Sequence, residues 1–112
     1  MSKYNLGRVS ELQDRTPTHK MVNGLDLVLL KYDDEISVLY GRCLHRGALM
    51  SDGYVDGQNI ICGLHGWDYR MDTGVSDYDN SEALEKFTTV IEDDIIFIDE
   101  DEINAFLVKH PQ

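Results

Sequence analysis

Two cysteine–histidine pairs bring metal-binding side chains together in this chain of 112 residues. His45 follows Cys43 by two positions, and His65 follows Cys62 by three. The chain has only two cysteines and four histidines, so chance explains this placement poorly. A thiolate and an imidazole on one short turn can point at a common ion. We therefore interpret the four side chains as metal ligands rather than as a disulfide with two surface histidines.

The order of the ligands along the chain distinguishes between kinds of metal site. Zinc fingers group their cysteines together and their histidines together. Here each of two loops supplies one cysteine and one histidine, and residues 46–61 separate the two pairs. This order suits a centre with two metal positions, in which two thiolates bind one metal and two imidazoles bind the other. A single tetrahedral zinc ion is the alternative that the spacing also permits.

Short strands are predicted to lead into both loops. Residues 1–20 are mixed and polar, with an early turn at Pro17, and carry no clear strand pattern. After them Asn23-Gly24 is a hairpin-turn signal between apolar segments. The predicted strands cover 21–22, 25–32, 36–40, 54–55, 59–61, 67–71, 87–91 and 95–98. The first ligand loop, 41–47, follows the third of these strands, and the second loop, 62–66, follows the fifth.

The periodicity changes near the end of the chain. Ile103, Phe106, Leu107 and His110 fall at positions i, i+3, i+4 and i+7, which predicts a short helix over 102–110 that Pro111 ends. Many short strands with one terminal helix indicate an all-β fold. No repeat or linker divides the sequence, so we expect one domain over residues 1–112.

Composition and charge exclude several classes of function. Ten basic and twenty-one acidic side chains give a formal charge of -11, which argues against unaided binding to nucleic acid. The longest apolar runs are only four residues long, so no segment is predicted to span a bilayer. The first residues lack the apolar core of a secretory signal. A chain of this length is also too short for a large multi-domain enzyme.

The segment 41–75 resembles a Rieske [2Fe-2S] domain. The resemblance rests on the two ligand pairs, on Gly47 and Gly53, on the His-Gly-Trp-Asp-Tyr run at 65–69, and on the Thr-Gly turn at 73–74. It implies that Cys43 and Cys62 bind one iron of a [2Fe-2S] cluster and that His45 and His65 bind the other. It also implies small antiparallel sheets, with a cluster-binding subdomain at about 41–75.

Further residues near the ligands are expected to support the cluster. Gly47 and Gly66 would let backbone amides approach sulfur closely and donate hydrogen bonds. Trp67 is expected to be a core aromatic, or alternatively a shield beneath the loop. Tyr69 matches a tyrosine of high-potential Rieske proteins. His19 and His110 are expected to be surface residues.

The resemblance implies one-electron transfer, because a cluster with four protein ligands has no open position for a substrate. A ferredoxin-like carrier is the first hypothesis, with a flavin reductase or an oxygenase as its redox partner. The alternative is an electron-transfer domain or subunit of a larger oxidoreductase, for example one fused to a flavin-dependent, glutamate-synthase-like enzyme. A structural zinc module is a remote third reading.

Charge and cysteine usage suggest where such a carrier works. The acidic surface would dock on a basic patch of the partner. High-potential Rieske proteins carry an extra cysteine in each loop, joined as a disulfide, whereas Ala48 and Leu64 stand at these positions here. The missing disulfide is consistent with a reducing cytoplasm.

Overall fold

The computed structural model describes residues 3–43, 47–63, 66–77 and 81–110. Within these residues the chain forms short strands and one terminal helix. The strands are β1 (Lys3–Arg8), β2 (Thr18–Val22), β3 (Leu25–Tyr32), β4 (Glu35–Tyr40), β5 (Tyr54–Asp56), β6 (Asn59–Ile61), β7 (Asp68–Arg70), β8 (Lys86–Phe87), β9 (Thr89–Glu92) and β10 (Ile95–Asp99), and the helix is α1 (Glu100–Lys109).

The strands form three antiparallel sheets. Their orders are β1-β10-β9, β2-β3-β4-β8 and β5-β6-β7. The first sheet joins β1 to β10, so it ties the beginning of the described chain to its end. The predicted all-β fold of small antiparallel sheets with a short C-terminal helix is confirmed.

Strand β3 is buried on both faces, which explains its almost unbroken apolar sequence. Successive side chains of a strand point to opposite faces. Leu25 and Leu27 accordingly enter one hydrophobic core, whereas Val28 and Leu30 enter another. The first core also contains Leu6, Leu12, Val22, Leu29, Val38, Phe87, Ile96, Ile98, Ile103 and Phe106. The second core also contains Tyr32, Leu39, Cys43, Met50, Ile60, Cys62, Tyr69, Met71 and Leu84.

The terminal helix closes the first core and begins two residues earlier than predicted. Asp99 caps its N-terminus, since the Asp99 carboxylate accepts a 2.8 Å hydrogen bond from the Asp101 N–H. Ile103 and Phe106 turn towards the core, and Phe106 makes an edge contact with Phe87. The acidic first turn and Lys109 in the last turn suit the helix dipole.

Two strand predictions need correction. The predicted strand 87–91 is two strands in two different sheets, because the Thr88 N–H donates to the Glu102 carboxylate instead of to a neighbouring strand. Strand β1 was not predicted within the polar residues 1–20. Three of its six residues are exposed and only Leu6 is buried, so it lacks the apolar alternation that marks a strand.

The predicted hairpin turn at Asn23-Gly24 is confirmed by the backbone. Asn23 and Gly24 both have positive φ angles, of 55° and 82°. Asp93 and Asp94 connect β9 to β10 in the same way, with φ angles of 50° and 69°. Turns with two left-handed residues match the twist of an antiparallel pair, so these hairpins follow directly from local sequence.

Gly41 allows the first ligand loop to leave β4 close to β3. Its N–H donates to the Asp26 carbonyl at 2.8 Å. A Cβ at this position would lie only 2.7 Å from the carbonyl carbon of Leu27. Because the obstructing atoms are backbone, a side chain could be accommodated only by moving the two strands apart.

We expect Gly41→Ala to lower the free energy of unfolding by about 1–3 kcal/mol, the usual cost of overpacking a well-packed site. The measurement is the urea midpoint followed by circular dichroism. Gly57→Asn is the control, because the added Cβ there has no atom within 4 Å and asparagine tolerates the φ of 61°. Equal midpoints for Gly41→Ala and the unsubstituted chain would contradict the close strand approach.

Candidate metal centre

The two cysteines lie at the ends of apolar strands and inside the same core. Cys43 follows β4 by two intervening residues, and Cys62 follows β6 directly. Their exposed fractions are 2% and 0%, and both belong to the second core. Neither thiol is in a disulfide. The fold therefore brings two buried and unbonded sulfur donors into one cluster of side chains.

The first loop, residues 43–48, is closed by two backbone hydrogen bonds. The Cys43 N–H donates to the Ala48 carbonyl at 2.7 Å, and the Gly47 N–H donates back to the Cys43 carbonyl at 2.9 Å. Gly47 has a φ of 68°, a left-handed conformation that glycine adopts without steric cost. These bonds fix the backbone on both sides of the cysteine.

The second loop, residues 62–67, repeats the same pattern. The Cys62 N–H donates to the Trp67 carbonyl at 2.8 Å, and the Gly66 N–H donates to the Cys62 carbonyl at 3.0 Å. Gly66 has a φ of 69°. The two loops thus share these two hydrogen bonds and the left-handed glycine, although the sequence places the histidine one position later in the second loop.

Gly47 and Gly66 shape the two loops. Both occupy left-handed positions that favour glycine, and no atom lies within 4 Å of a Cβ built at either one. Their own N–H groups, however, donate to the cysteine carbonyls. Gly47 and Gly66 therefore shape the loops through their backbone conformation, and the amide hydrogen bonds to sulfur stay a prediction.

A tight turn places the two loops side by side. The Met50 N–H donates to the Gly41 carbonyl, and a Cβ at Gly53 would lie 1.9 Å from the Ile61 carbonyl oxygen. Ala48 of the first loop and Gly63 of the second line one cavity of about 260 Å³. Both loops consequently border a common space.

Two aromatic residues of the predicted site lie against this core. Tyr69 is fully buried, and its hydroxyl lies 4.0 Å from the Cys43 sulfur, at the outer limit of a hydrogen bond to sulfur. Trp67 is half-buried and packs against the second core. Its carbonyl holds Cys62, so Trp67 has a packing role and a role in closing the second loop.

The predicted histidine ligands, His45 and His65, lie outside the described residues, as does Arg46 between the first histidine and Gly47. Among residues 3–43, 47–63, 66–77 and 81–110, no group of three or more His, Cys, Asp and Glu side chains could hold a metal ion. The structure thus brings together the two predicted sulfur ligands, and the nitrogen ligands stay a prediction.

An ionic network that the sequence did not reveal supports the first loop. The Arg42 guanidinium donates from Nε to the Asp26 carboxylate and from Nη1 to the Gly47 carbonyl, both at 2.6 Å. His19 Nε2 lies 2.7 Å from the other carboxylate oxygen. His19 is therefore not a simple surface residue. The only signal in the sequence was an acidic residue inside the apolar strand β3.

Burial and pairing act in opposite directions on the pKa of Asp26. Its side chain is only 7% exposed, and this burial raises the pKa. Hydrogen bonds from His19 and Arg42 lower the pKa by more, so the net shift is below the ordinary value. The carboxylate therefore stays ionised at neutral pH despite its burial.

The second predicted surface histidine, His110, is exposed but lies near the first loop. Its ring lies 4.6 Å from that of Phe106, between ring centroids. Cys43, Gly47 and His110 line the same cavity of about 300 Å³. The end of α1 is thereby placed beside the sulfur ligand of the first loop.

Comparison with known families agrees with this geometry. The model of the Rieske [2Fe-2S] domain matches residues 2–90, which include both loops and nine of the strands at least in part. The chain belongs to the Rieske [2Fe-2S] domain family. A Rieske-type [2Fe-2S] cluster is accordingly its cofactor.

Relatives of this Rieske chain occur in oxygenase systems. The ferredoxin component of the naphthalene 1,2-dioxygenase system of Pseudomonas putida is 40% identical over 53 residues, covering 47% of this chain and 51% of that protein. The terminal oxygenase component of carbazole 1,9a-dioxygenase of Sphingomonas sp is 33% identical over 73 residues, covering 63% of this chain and 19% of that protein. The chain thus spans about half the length of the ferredoxin component and about a fifth of the length of the oxygenase component.

A solved structure is similar over almost the whole fold. The Sphingomonas yanoikuyae B1 ferredoxin aligns with a TM-score of 0.81 and 28% identity, covering 88% of this Rieske chain and 99% of that protein.

The described residues fit the cysteine-bound half of a Rieske cluster, since they include both cysteines. Thiolates are the ligands that iron–sulfur clusters take from proteins, and the two available here are buried, unbonded to each other and presented by matching loops. When bound, the cluster supplies a site that accepts and releases one electron. The protein side of that chemistry is a dry apolar core beneath the sulfurs and a hydroxyl, that of Tyr69, near one of them.

We expect Tyr69→Phe to lower the midpoint potential of this Rieske protein. A hydroxyl near a thiolate stabilises the more negative, reduced state, and phenylalanine removes that hydroxyl while keeping the ring. The measurement is protein-film voltammetry. Tyr32→Phe is the matched control, because Tyr32 is buried in the same core but its hydroxyl pairs with Ser37 Oγ at 2.7 Å. Equal shifts in the two variants would show that the Cys43 contact has no effect.

Proposed function

We propose that this chain is a one-electron carrier in which Cys43 and Cys62 bind one iron of the [2Fe-2S] cluster and His45 and His65 bind the other. The observation that carries the proposal is the pair of buried, unbonded cysteines in two loops with the same hydrogen bonds. In the sequence of both loops the histidine stands between the cysteine and the left-handed glycine. Four protein ligands leave no open position, so the chain turns over no substrate of its own.

The whole chain, residues 1–112, then acts as one Rieske domain with its cluster-binding part at about 41–75. Strand β3 supports this cluster-binding part, because it contributes side chains to both cores. Gly47, Gly66, Trp67 and Tyr69 shape the surroundings of the ligands by the contacts described above.

A free ferredoxin is favoured over a domain of a larger oxidoreductase by one observation. The similar Sphingomonas yanoikuyae B1 ferredoxin is covered over 99% of its length, whereas the carbazole oxygenase component is covered over 19%. A carrier of this kind receives electrons from a flavin-dependent reductase and delivers them to an oxygenase. The second hypothesis, an electron-transfer domain of an oxygenase or flavoenzyme, follows from the oxygenase relative.

The surface charge favours a partner with a basic docking patch. The chain carries a formal charge of -11, and opposite charges steer encounter between proteins. No helix among the described residues is both long and apolar enough to cross a bilayer. Because its two cysteines are unbonded, the carrier is suited to the reducing cytoplasm, where we place it.

Electron paramagnetic resonance of the dithionite-reduced protein tests the ligand set. We expect a reduced diiron signal with nitrogen couplings in pulsed spectra, and we expect these couplings to change when histidine is labelled with ¹⁵N. Separate His45→Ala and His65→Ala variants should lose the signal, while the control His110→Gln should keep it. A silent, iron-free protein that binds zinc would overturn the proposal, and a signal without nitrogen coupling would refute the histidine ligands.

Docking by charge predicts that electron transfer depends on salt. We expect the rate from a flavin-dependent reductase to fall severalfold between low ionic strength and 0.15 M salt, where the Debye length is about 8 Å. Stopped-flow reduction measures this rate. Reduction by a small uncharged mediator is the control and should be nearly independent of salt. A flat profile with the protein partner would disprove steering while leaving the cluster assignment intact.

A further inference from the structure

We propose that Asp26 and Arg42 are positioning residues that brace the first loop and tune the reduction potential in opposite directions. The inference rests on the proposed function. It assigns a role to an ion pair between β3 and the residue just before Cys43, neither partner of which is a predicted cluster ligand.

Arg42 ties the two sides of the first loop together. It directly precedes Cys43, and its Nη1 donates to the carbonyl of Gly47 at 2.6 Å. Gly47 in turn donates its N–H to the Cys43 carbonyl. The guanidinium therefore spans the base of the loop, and its position determines how the backbone around Cys43 is held.

Asp26 holds the Arg42 guanidinium in place from the buried strand β3. Its carboxylate oxygens contact Arg42 Nε at 2.6 Å and His19 Nε2 at 2.7 Å. Its backbone carbonyl accepts the Gly41 N–H, so the same residue also anchors the chain that leads into the loop. Asp26 lies on β3 between Leu25 and Leu27, which are fully buried. The backbone that carries the carboxylate is therefore held in the interior of the fold.

The residue before the cysteine carries a charge in the first loop and none in the second. Ile61 stands where the first loop has Arg42, and its side chain cannot donate to the Gly66 carbonyl. The two loops are alike in backbone hydrogen bonds but differ in charge. The Arg42 guanidinium puts a positive charge beside the first loop at a position where the second loop has an apolar side chain, and this difference points to an electrostatic role.

The sign of that role follows from charge. Reduction adds one electron to the cluster, so a nearby cation favours the reduced state and a nearby anion favours the oxidised state. The Asp26 carboxylate compensates the Arg42 guanidinium. Removing the anion should therefore raise the midpoint potential, and removing the cation should lower it. Loosening of the loop alone would move both variants in the same direction.

The test compares four variants of the cluster-loaded protein by voltammetry at pH 8, where carboxylates are ionised. Asp26→Asn should raise the midpoint and Arg42→Gln should lower it, each changing the reduced-to-oxidised ratio at fixed ambient potential a few-fold. The double variant should return close to the unsubstituted value. Arg42→Lys keeps the positive charge but loses the planar guanidinium group, so its midpoint potential should stay unchanged.

Iron release to a chelator separates the brace from the charge. Arg42→Lys and Arg42→Gln should both release iron severalfold faster than the unsubstituted protein, because a lysine cannot contact Asp26 and Gly47 through one planar group. Arg15→Gln is the control for a change of net charge, since Arg15 pairs with Asp14 and Asp33 and contacts Gly57 instead of either loop. It should alter neither the midpoint nor the release rate.

Midpoints that move in the same direction in Asp26→Asn and Arg42→Gln, or that do not move, would overturn the proposal. If Asp26→Asn fails to fold with its cluster, the arginine variants decide. A lower midpoint in Arg42→Gln than in Arg42→Lys supports the electrostatic role, and equal midpoints refute it.

Discussion

The structure depends on holding two thiols in an apolar core without letting them bond to each other. Each cysteine is fixed on its own loop by a pair of backbone hydrogen bonds, and each loop turns back at a left-handed glycine. Side-chain burial alone would leave the sulfurs free to move as the core repacks. The backbone closure instead holds the chain that carries each sulfur, which is part of the preorganisation of a binding site.

Strand β3 links this site to the rest of the fold. One face of the strand builds the core beneath the helix, and the other builds the core that contains the cysteines. A displacement of β3 would consequently disturb both cores at once, so the ligand loops rest on a strand that both cores hold in place. The close approach at Gly41 extends the same constraint to the backbone that enters the first loop.

Local signals predicted most of the fold, and long-range contacts account for what was missed. The Asn23-Gly24 hairpin and the apolar strand β3 follow from turn chemistry and hydrophobic pattern, and both are confirmed. Strand β1 forms because β10, at the other end of the chain, pairs with it. Thr88 ends a strand because Glu102 of the helix accepts its N–H. Neither partner is visible in a short window of sequence.

The same distinction between local and long-range features applies to the site. The spacing of the ligands is local in sequence, whereas the contacts that support the ligand loops join residues far apart in the chain. The cysteines and glycines were predicted from spacing and from family resemblance, and the network around Asp26 was not. Asp26 is the only buried carboxylate among the described residues, in a chain with twenty-one acidic side chains. The exposed acids keep their charge at little cost, whereas this one needs two cationic or hydrogen-bonding partners to remain ionised. An apolar residue would fill the position on β3 more simply, so the presence of Asp26 beside the first loop is better explained by its pairing with Arg42 than by packing.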